Sequence, residues 1–398
     1  MTYRGSGAGK SASAAAVLAA LTLAAAILLS GCGILQELLT PPAGSAELPP
    51  VTTAEIAQST PPSIPFDAAP EIPEYELPPE EFADELEREA SEIIDFAIAR
   101  ALAYLSVLRD GRHSDTVFAF DEDANGYIAK LNLADRELYR RFIEAGRQFG
   151  QYTITETEYE ALAAEYPDGT PHELKDAFFA LFEPMCYCEP GLSSYYDVDG
   201  RSYISDADDS SHMRSMFSYY FDPNADQNVQ VADGAVSLPE VRRDAELLER
   251  VVRRVVRFMP EGLSAYDRYY YLAAVLSEKV SYDDRPDNCF TAFGALIGGK
   301  AVCEGYTSAY YLLCREAGLW CAYRNGQPNG AGHTWNMVKL DSGIYNVDVT
   351  WCDGKGSPYE RAWYNCFMCS DAAFEADGHC ATSGVAGTGE YEPSPYGK

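Results

Sequence analysis

The sequence predicts an α+β fold, and three observations predict it. Apolar residues recur at helical spacing over 80–109, 135–149, 239–256 and 264–280. A further buried helix after residue 303 is followed by a hairpin pattern over 333–351. Hydrophobic residues make up 47% of 398 positions, with 28 Tyr and 17 Phe, which suits a packed core and not a disordered chain.

The first long helix, over 80–109, places Phe82, Leu86, Ile93, Ile94, Ala97, Ala101, Leu105 and Leu108 along one stripe. Its first turns are acidic, where the helix dipole favours negative charge. A polar segment, 121–126, precedes a second helix over about 135–149. Between 152 and 236 come short aromatic runs broken by Asp-Gly and Pro-Asn pairs, such as Tyr195-Tyr196 before Asp199-Gly200 and Ser202-Tyr203-Ile204 after it. These predict strands and hairpins.

The next helix opens at Pro239, which the first helical position accepts, and carries Leu247, Leu248, Val251, Val252, Val255 and Val256. Another starts at Ser264, with Asp267 three residues on in a capping-box arrangement, and continues through Tyr270, Ala273, Leu276 and Val280. From Ala381 the chain is rich in Gly, Ser, Pro and Thr, which predicts a frayed tail.

Chemistry concentrates in 291–353. Gly298-Gly299 breaks the chain just before Cys303. Tyr306, Ala309, Tyr310, Leu313, Cys314 and Ala317 then follow a helical stripe that Gly318 stops, so Cys303 is expected at the N-terminus of a buried helix and Cys314 in its core face. Backbone N–H groups without helical partners, together with the dipole, stabilise an anion at such a position and can later hold an oxyanion.

His333 opens the strand pattern His-Thr-Trp-Asn-Met-Val-Lys-Leu, Asp341-Ser342-Gly343 turns the chain, and 344–351 forms the returning strand with Asp348 in it. His333 and Asp348 share a sheet face only if paired residue numbers have an odd sum. A Ser342-Gly343 turn gives 685 and leaves His333 too far along. A register of 683 sets Asp348 opposite Trp335 and diagonal to His333, about 7–8 Å away at the backbone, a gap side chains can close. That register predicts a loop or bulge longer than the minimal turn.

The words Ala-Val-Cys-Glu-Gly-Tyr, His-Thr-Trp-Asn and Tyr-Asn-Val-Asp-Val-Thr-Trp resemble the transglutaminase-like superfamily, in the short form found in bacterial exported proteins. The resemblance covers roughly 264–353 and fades upstream. It implies a papain-like core, a nucleophile helix packed on an antiparallel sheet, after a helical and short-stranded N-terminal region. It further implies a triad in which Cys303 is the nucleophile, His333 the general base and acid, and Asp348 the residue that orients the imidazole. The family usually has an acid directly after the second Trp, where this chain has Cys352. Trp335 and Trp351 are expected to pack around the triad hairpin, with substrate contact the lesser alternative, and Tyr282 is the candidate for an oxyanion-stabilising side chain.

Arg4 and Lys10 precede an apolar run, 14–29, that closes on Leu29-Ser30-Gly31-Cys32. This resembles a bacterial export signal ending in a lipobox, with Cys32 as the lipidated residue. A simple membrane-anchoring helix is the alternative. Acyl chains anchor at roughly 0.8 kcal/mol per buried CH₂. Eleven prolines between 41 and 79 predict an extended tether. The expected organisation is thus signal 1–31, tether 32–80, N-terminal region 81–235, catalytic core 236–380 and tail 381–398. Without Arg4 and Lys10 the chain has 28 basic against 61 acidic residues, a net of −33. Such a charge repels nucleic acid and anionic headgroups and favours a cationic protein or peptide substrate, although a solvated acidic surface is the more common reading of such a balance.

Three weaker patterns are discounted. Asp121-x-Asp123-x-Asn125-Gly126 begins like a calcium loop, but its twelfth position is Asn132, so a polar turn is the better reading. Cys366-x-x-Cys369 with His379-Cys380 has zinc-ligand types without zinc-site spacing. Cys186-x-Cys188 is poorly placed for a mutual disulfide, and the pairing of the remaining cysteines stays open. No metal or cofactor is expected. The function expected is extracytoplasmic thiol-dependent acyl transfer on protein or peptide amides. Hydrolysis is favoured over transamidation because the core is short. The alternative is a surface scaffold lipoprotein with an inactive fold of this type.

Overall fold

A computed structural model describes residues 73–75, 77, 85–108, 116–131, 133–147, 187–190, 238–286, 288–358 and 360–389. The expected signal and lipobox with Cys32, most of the expected tether, and nearly all of the expected strands over 152–236 lie outside the described residues. No helix among those described is long and apolar enough to cross a membrane.

In chain order come α1 (Glu85–Leu108), α2 (Tyr127–Lys130), α3 (Leu133–Arg147), α4 (Leu238–Arg257) and α5 (Ala265–Lys279). A two-stranded parallel ribbon, β1 (Ser281–Tyr282) with β2 (Lys300–Ala301), leads into α6 (Cys303–Glu316). Then follow β3 (Cys321–Gly326), β4 (His333–Leu340), β5 (Gly343–Val347), α7 (Val349–Asp353), β6 (Phe367–Cys369), α8 (Asp371–Ala376) and β7 (Ala381–Gly384). The five long-range strands form one antiparallel sheet, ordered β6-β5-β4-β3-β7.

The helices pack as their apolar stripes require. Ile94, Ala97, Ile98 and Ala101 of α1 meet Leu247, Val251 and Val255 of α4, and these join nearly the whole of α5 and α6 in one core. Val338, Leu340, Tyr345 and Val347 close it from the sheet. The Ser264 hydroxyl accepts the Asp267 N–H at 3.1 Å, the cap the sequence specifies for α5. A second, smaller cluster on the other face of the sheet holds Trp320, Ala322, Trp335, Met337, Cys369 and Phe374.

Three expectations are corrected. The β4–β5 register pairs Leu340 with Gly343 and Asn336 with Val347, the 683 register, yet the connection is only Asp341-Ser342. No longer loop is needed, because the turn sits one residue earlier than Ser342-Gly343. The returning strand stops at Val347, and Asp348 becomes the N-cap of α7 with its Oδ1 accepting the Trp351 N–H at 3.1 Å. A short carboxylate next to a free helix terminus favours that cap over strand continuation. Finally, Ala381–Gly384 is the edge strand β7 on β3, where the composition suggested fraying.

The acidic turn 121–126 is structural. Asp123 accepts the Ile128 and Ala129 N–H groups at 2.8 and 2.7 Å, capping α2, while Asn125 exchanges two hydrogen bonds with the Tyr323 backbone. The nine cysteines among the described residues are all free thiols.

Candidate active site

Gly305 explains how α6 reaches its position. A Cβ there would stand 2.5 Å from the Cys289 carbonyl oxygen and 2.8 Å from the Ala301 Cβ. Only glycine lets the first turn of the helix approach the 289–301 segment this closely. Gly305→Ala is expected to cost about 1–3 kcal/mol by overpacking, read as a lowered melting temperature. The N-cap of α6 is Val302, whose side chain offers no acceptor to the first-turn N–H groups. The helix dipole and these donors therefore act at Cys303, which is partly exposed.

His333, the first residue of β4, is buried at 6% exposure. Its Nε2 lies 2.6 Å from Asp348 Oδ2, and Cys303 stands near enough to help raise the pKa of its ring. With Nε2 on the carboxylate, Nδ1 is the nitrogen left for the thiol. Burial opposes charge on this ring, but Asp348 and Cys303 outweigh it and push the pKa up to about 10. Burial likewise opposes charge on Asp348, yet His333 and then His379 hold its carboxyl far below the usual range.

The structure thus brings Cys303, His333 and Asp348 together from a helix start, a strand start and a helix cap. Trp335 and Trp351 flank the His333 ring at centroid distances of 5.8 and 5.6 Å. Trp335 is fully buried and donates its indole N–H to Asn346 Oδ1 at 2.8 Å, so its role is packing. Trp351 is only half buried and caps the site. Tyr282 on β1 is 60% exposed, and the proximity of Cys303 contributes to raising its hydroxyl pKa, after burial. Cys314 lies in the core as expected. Cys352 is fully buried, and the acid expected after Trp351 falls one position later. Asp353 Oδ2 accepts the Tyr306 hydroxyl at 2.8 Å, tying α7 to α6. Burial of Glu304, next to the nucleophile position, pushes its carboxyl up to about 7.

One residue here enters the sequence reading only within the discounted cysteine pattern. His379 enters from beyond α8 and places its Nε2 2.9 Å from the same Asp348 Oδ2. His333, Asp348 and His379 offer one donor atom each within 4.8 Å of one another, a set that could hold a metal ion. The two imidazoles, however, already contact the carboxylate at hydrogen-bond distance. A zinc ion with ligands at about 2.0–2.1 Å would have to wedge them apart.

The family model for the transglutaminase-like superfamily matches residues 253–352, from within α4 through α7. This chain carries a transglutaminase-like core. The matched stretch contains Cys303, His333 and Asp348, while His379 lies beyond it. No curated protein matches the chain.

Proposed function

We propose that the chain is a thiol-dependent acyl-transfer enzyme acting on protein or peptide amides outside the cytoplasm. The transglutaminase-like core supports the general class, whose members are usually enzymes. The observation that carries the specific reading is His333 bonded to Asp348 at 2.6 Å, with Cys303 at the start of α6 near enough to act on the same ring. In this reading the thiol proton passes to His333 Nδ1 and sulfur attacks the amide carbon. The developing oxyanion meets first-turn N–H groups of α6. His333 then protonates the leaving amine, and a water, deprotonated by His333, releases the acyl group. In this reading Tyr282, exposed beside Cys303, and Trp351 are the side chains that touch substrate. The acidic surface suits a cationic one.

Because His333 must give up a proton to the leaving group, turnover is expected to fall as pH rises through about 10, its pKa in this site. A pulse of iodoacetamide near neutral pH, read by mass spectrometry, should label Cys303 first. Faster labelling of Cys314 or Cys321, both fully buried, would sink the nucleophile assignment. A peptide panel with and without amine donors then distinguishes hydrolysis from transamidation, and no turnover on any of it would favour a scaffold role.

The proposal includes tethering through Cys32, on the strength of the apolar run and the small residues before that cysteine. Cys32→Ala should release the protein from the membrane fraction or leave its signal uncleaved. Fractionation and migration like the parent would overturn this part alone.

A further inference from the structure

Beyond the three residues of the proposed triad, we infer that His379 is a positioning residue, a second imidazole that fixes the Asp348 carboxylate through the same oxygen that His333 uses. The inference rests on the proposed function, since a carboxylate needs fixing only if it orients a working histidine.

The geometry is specific. Asp348 Oδ2 receives both Nε2 atoms, from His333 at 2.6 Å and from His379 at 2.9 Å, while Oδ1 receives the Trp351 N–H at 3.1 Å. The His333 hydrogen bond alone would leave this carboxylate free to swing about its side-chain torsions. Three donors on two oxygens leave it a single orientation. His379 is itself immobilised. Its ring is stacked on Phe374 and tilted against Trp351, each at 4.0 Å between centroids, and its side chain has 0% exposure. Its backbone N–H bonds the Phe374 carbonyl at 2.9 Å. Gly378, at φ 98°, makes the reversal that returns the chain from α8 to the site.

A ring held only for packing would be served as well by phenylalanine. This one keeps a polar edge on a buried charge, and its Nδ1 has no hydrogen-bond partner. Such an orphaned atom is a cost that the Asp348 contact must offset. That cost points to a role for the Nε2–H itself.

The groups facing this pair come from several elements. His333 belongs to β4 and Cys303 to α6, and Tyr306, also on α6, and Cys352 on α7 lie near enough to interact with Asp348 or its surroundings. Asp377 stands 4.0 Å from His379 Nδ1 and is itself paired with Lys355 at 2.5 Å and contacted by the Cys366 thiol at 3.9 Å.

The test uses the full chain and needs no known substrate. The rate of Cys303 alkylation by iodoacetamide is followed from pH 4 to 8 in the parent, in His379→Phe and in His379→Gln, with thermal melts alongside. Phenylalanine keeps the stacking and removes the donor, whereas glutamine can return an N–H to the Nε2 position. In His379→Phe the rate should fall several-fold across the profile, because an Asp348 carboxylate with one donor fewer holds His333 less often in line with the thiol. The glutamine variant should restore most of the parent profile. A His379→Phe profile that superimposes on the parent overturns the inference. If instead the parent shows no enhanced Cys303 reactivity, and none that depends on His333, the proposed function itself fails. A second measurement needs no change at 379 and covers a variant that does not fold. In the ¹⁵N-histidine-labelled parent, His379 should carry its proton on Nε2. A bare Nε2 would exclude donation to Asp348.

Discussion

Alanine at His333 should lower the alkylation rate of Cys303 by about 10²-fold or more near neutral pH, and remove covalent turnover altogether. The reasoning starts from position. Cys303 opens α6 behind a valine cap, so backbone donors and the dipole already favour an anion there. What the helix cannot supply is a group to take the proton, and positioned general bases contribute about 10²–10⁴-fold. His333 is the imidazole whose charge that thiol helps to favour. Cys303→Ala should abolish turnover equally, and the double variant should be no worse than either single one, because the two act as a unit. Time-resolved mass spectrometry of the single and double variants, with an acyl-trapping substrate, is the measurement. A His333→Ala protein that still turns over would make these residues structural and leave the scaffold reading in place.

Much of this arrangement is legible in the sequence because it rests on local periodicity and parity. The 3.6-residue stripe from Tyr306 to Ala317 sets the start of α6 to within its observed first residue. Odd parity of the hairpin sum puts Asp348 beside His333, and the 683 register follows. The turn length did not follow, since Asp341-Ser342 and Ser342-Gly343 are equally plausible two-residue turns by composition. Asp348 as a helix cap was available in the words Asp-Val-Thr-Trp, an acid three residues before a bonded N–H, but the strand pattern of the preceding residues masked it.

His379 was out of reach for a different reason. It lies 31 residues past Asp348, across α7, β6 and α8, and no period links elements so arranged. Its neighbours Cys366, Cys369 and Cys380 drew attention as metal-ligand types. In the fold Cys369 is buried facing the Tyr364 and Asn365 carbonyls, and Cys380 is exposed. Tertiary packing alone selects the histidine.

Asp348 is the residue whose loss should hurt most, in stability as well as activity. Catalytic polar groups seldom stabilise the fold that holds them, so Cys303, which is partly exposed, should be replaceable without harm to the fold. Asp348 differs, being 1% exposed, caps α7 and holds two buried imidazoles. Alanine there removes a helix cap, about 0.5–2 kcal/mol. It also takes the carboxylate from beside the buried His333 imidazole, and losing one partner of a buried charge pair costs about 3–5 kcal/mol. Asp348→Ala should therefore melt roughly 10 °C or more below the parent. Asp348→Asn keeps an oxygen for the cap and for one imidazole, so it should melt closer to the parent. It would still be nearly inactive, because the amide does not hold the tautomer that puts a base at Cys303.

The pH dependence carries the same signature. The folded-state pKa of Asp348 is depressed, so its contribution is full above the ordinary carboxylate value near 4 and is lost as pH falls below it. That of His333 is raised to about 10, so its share is full below about 6.5 and is lost as pH rises through 10. Parent stability should decline on both sides of that window, and Asp348→Asn should flatten both declines. Melting curves from pH 3 to 11 on the two proteins decide it. Parallel curves would mean that the Asp348 cluster contributes no charge-dependent stability, and that the carboxylate acts in this fold as a cap alone.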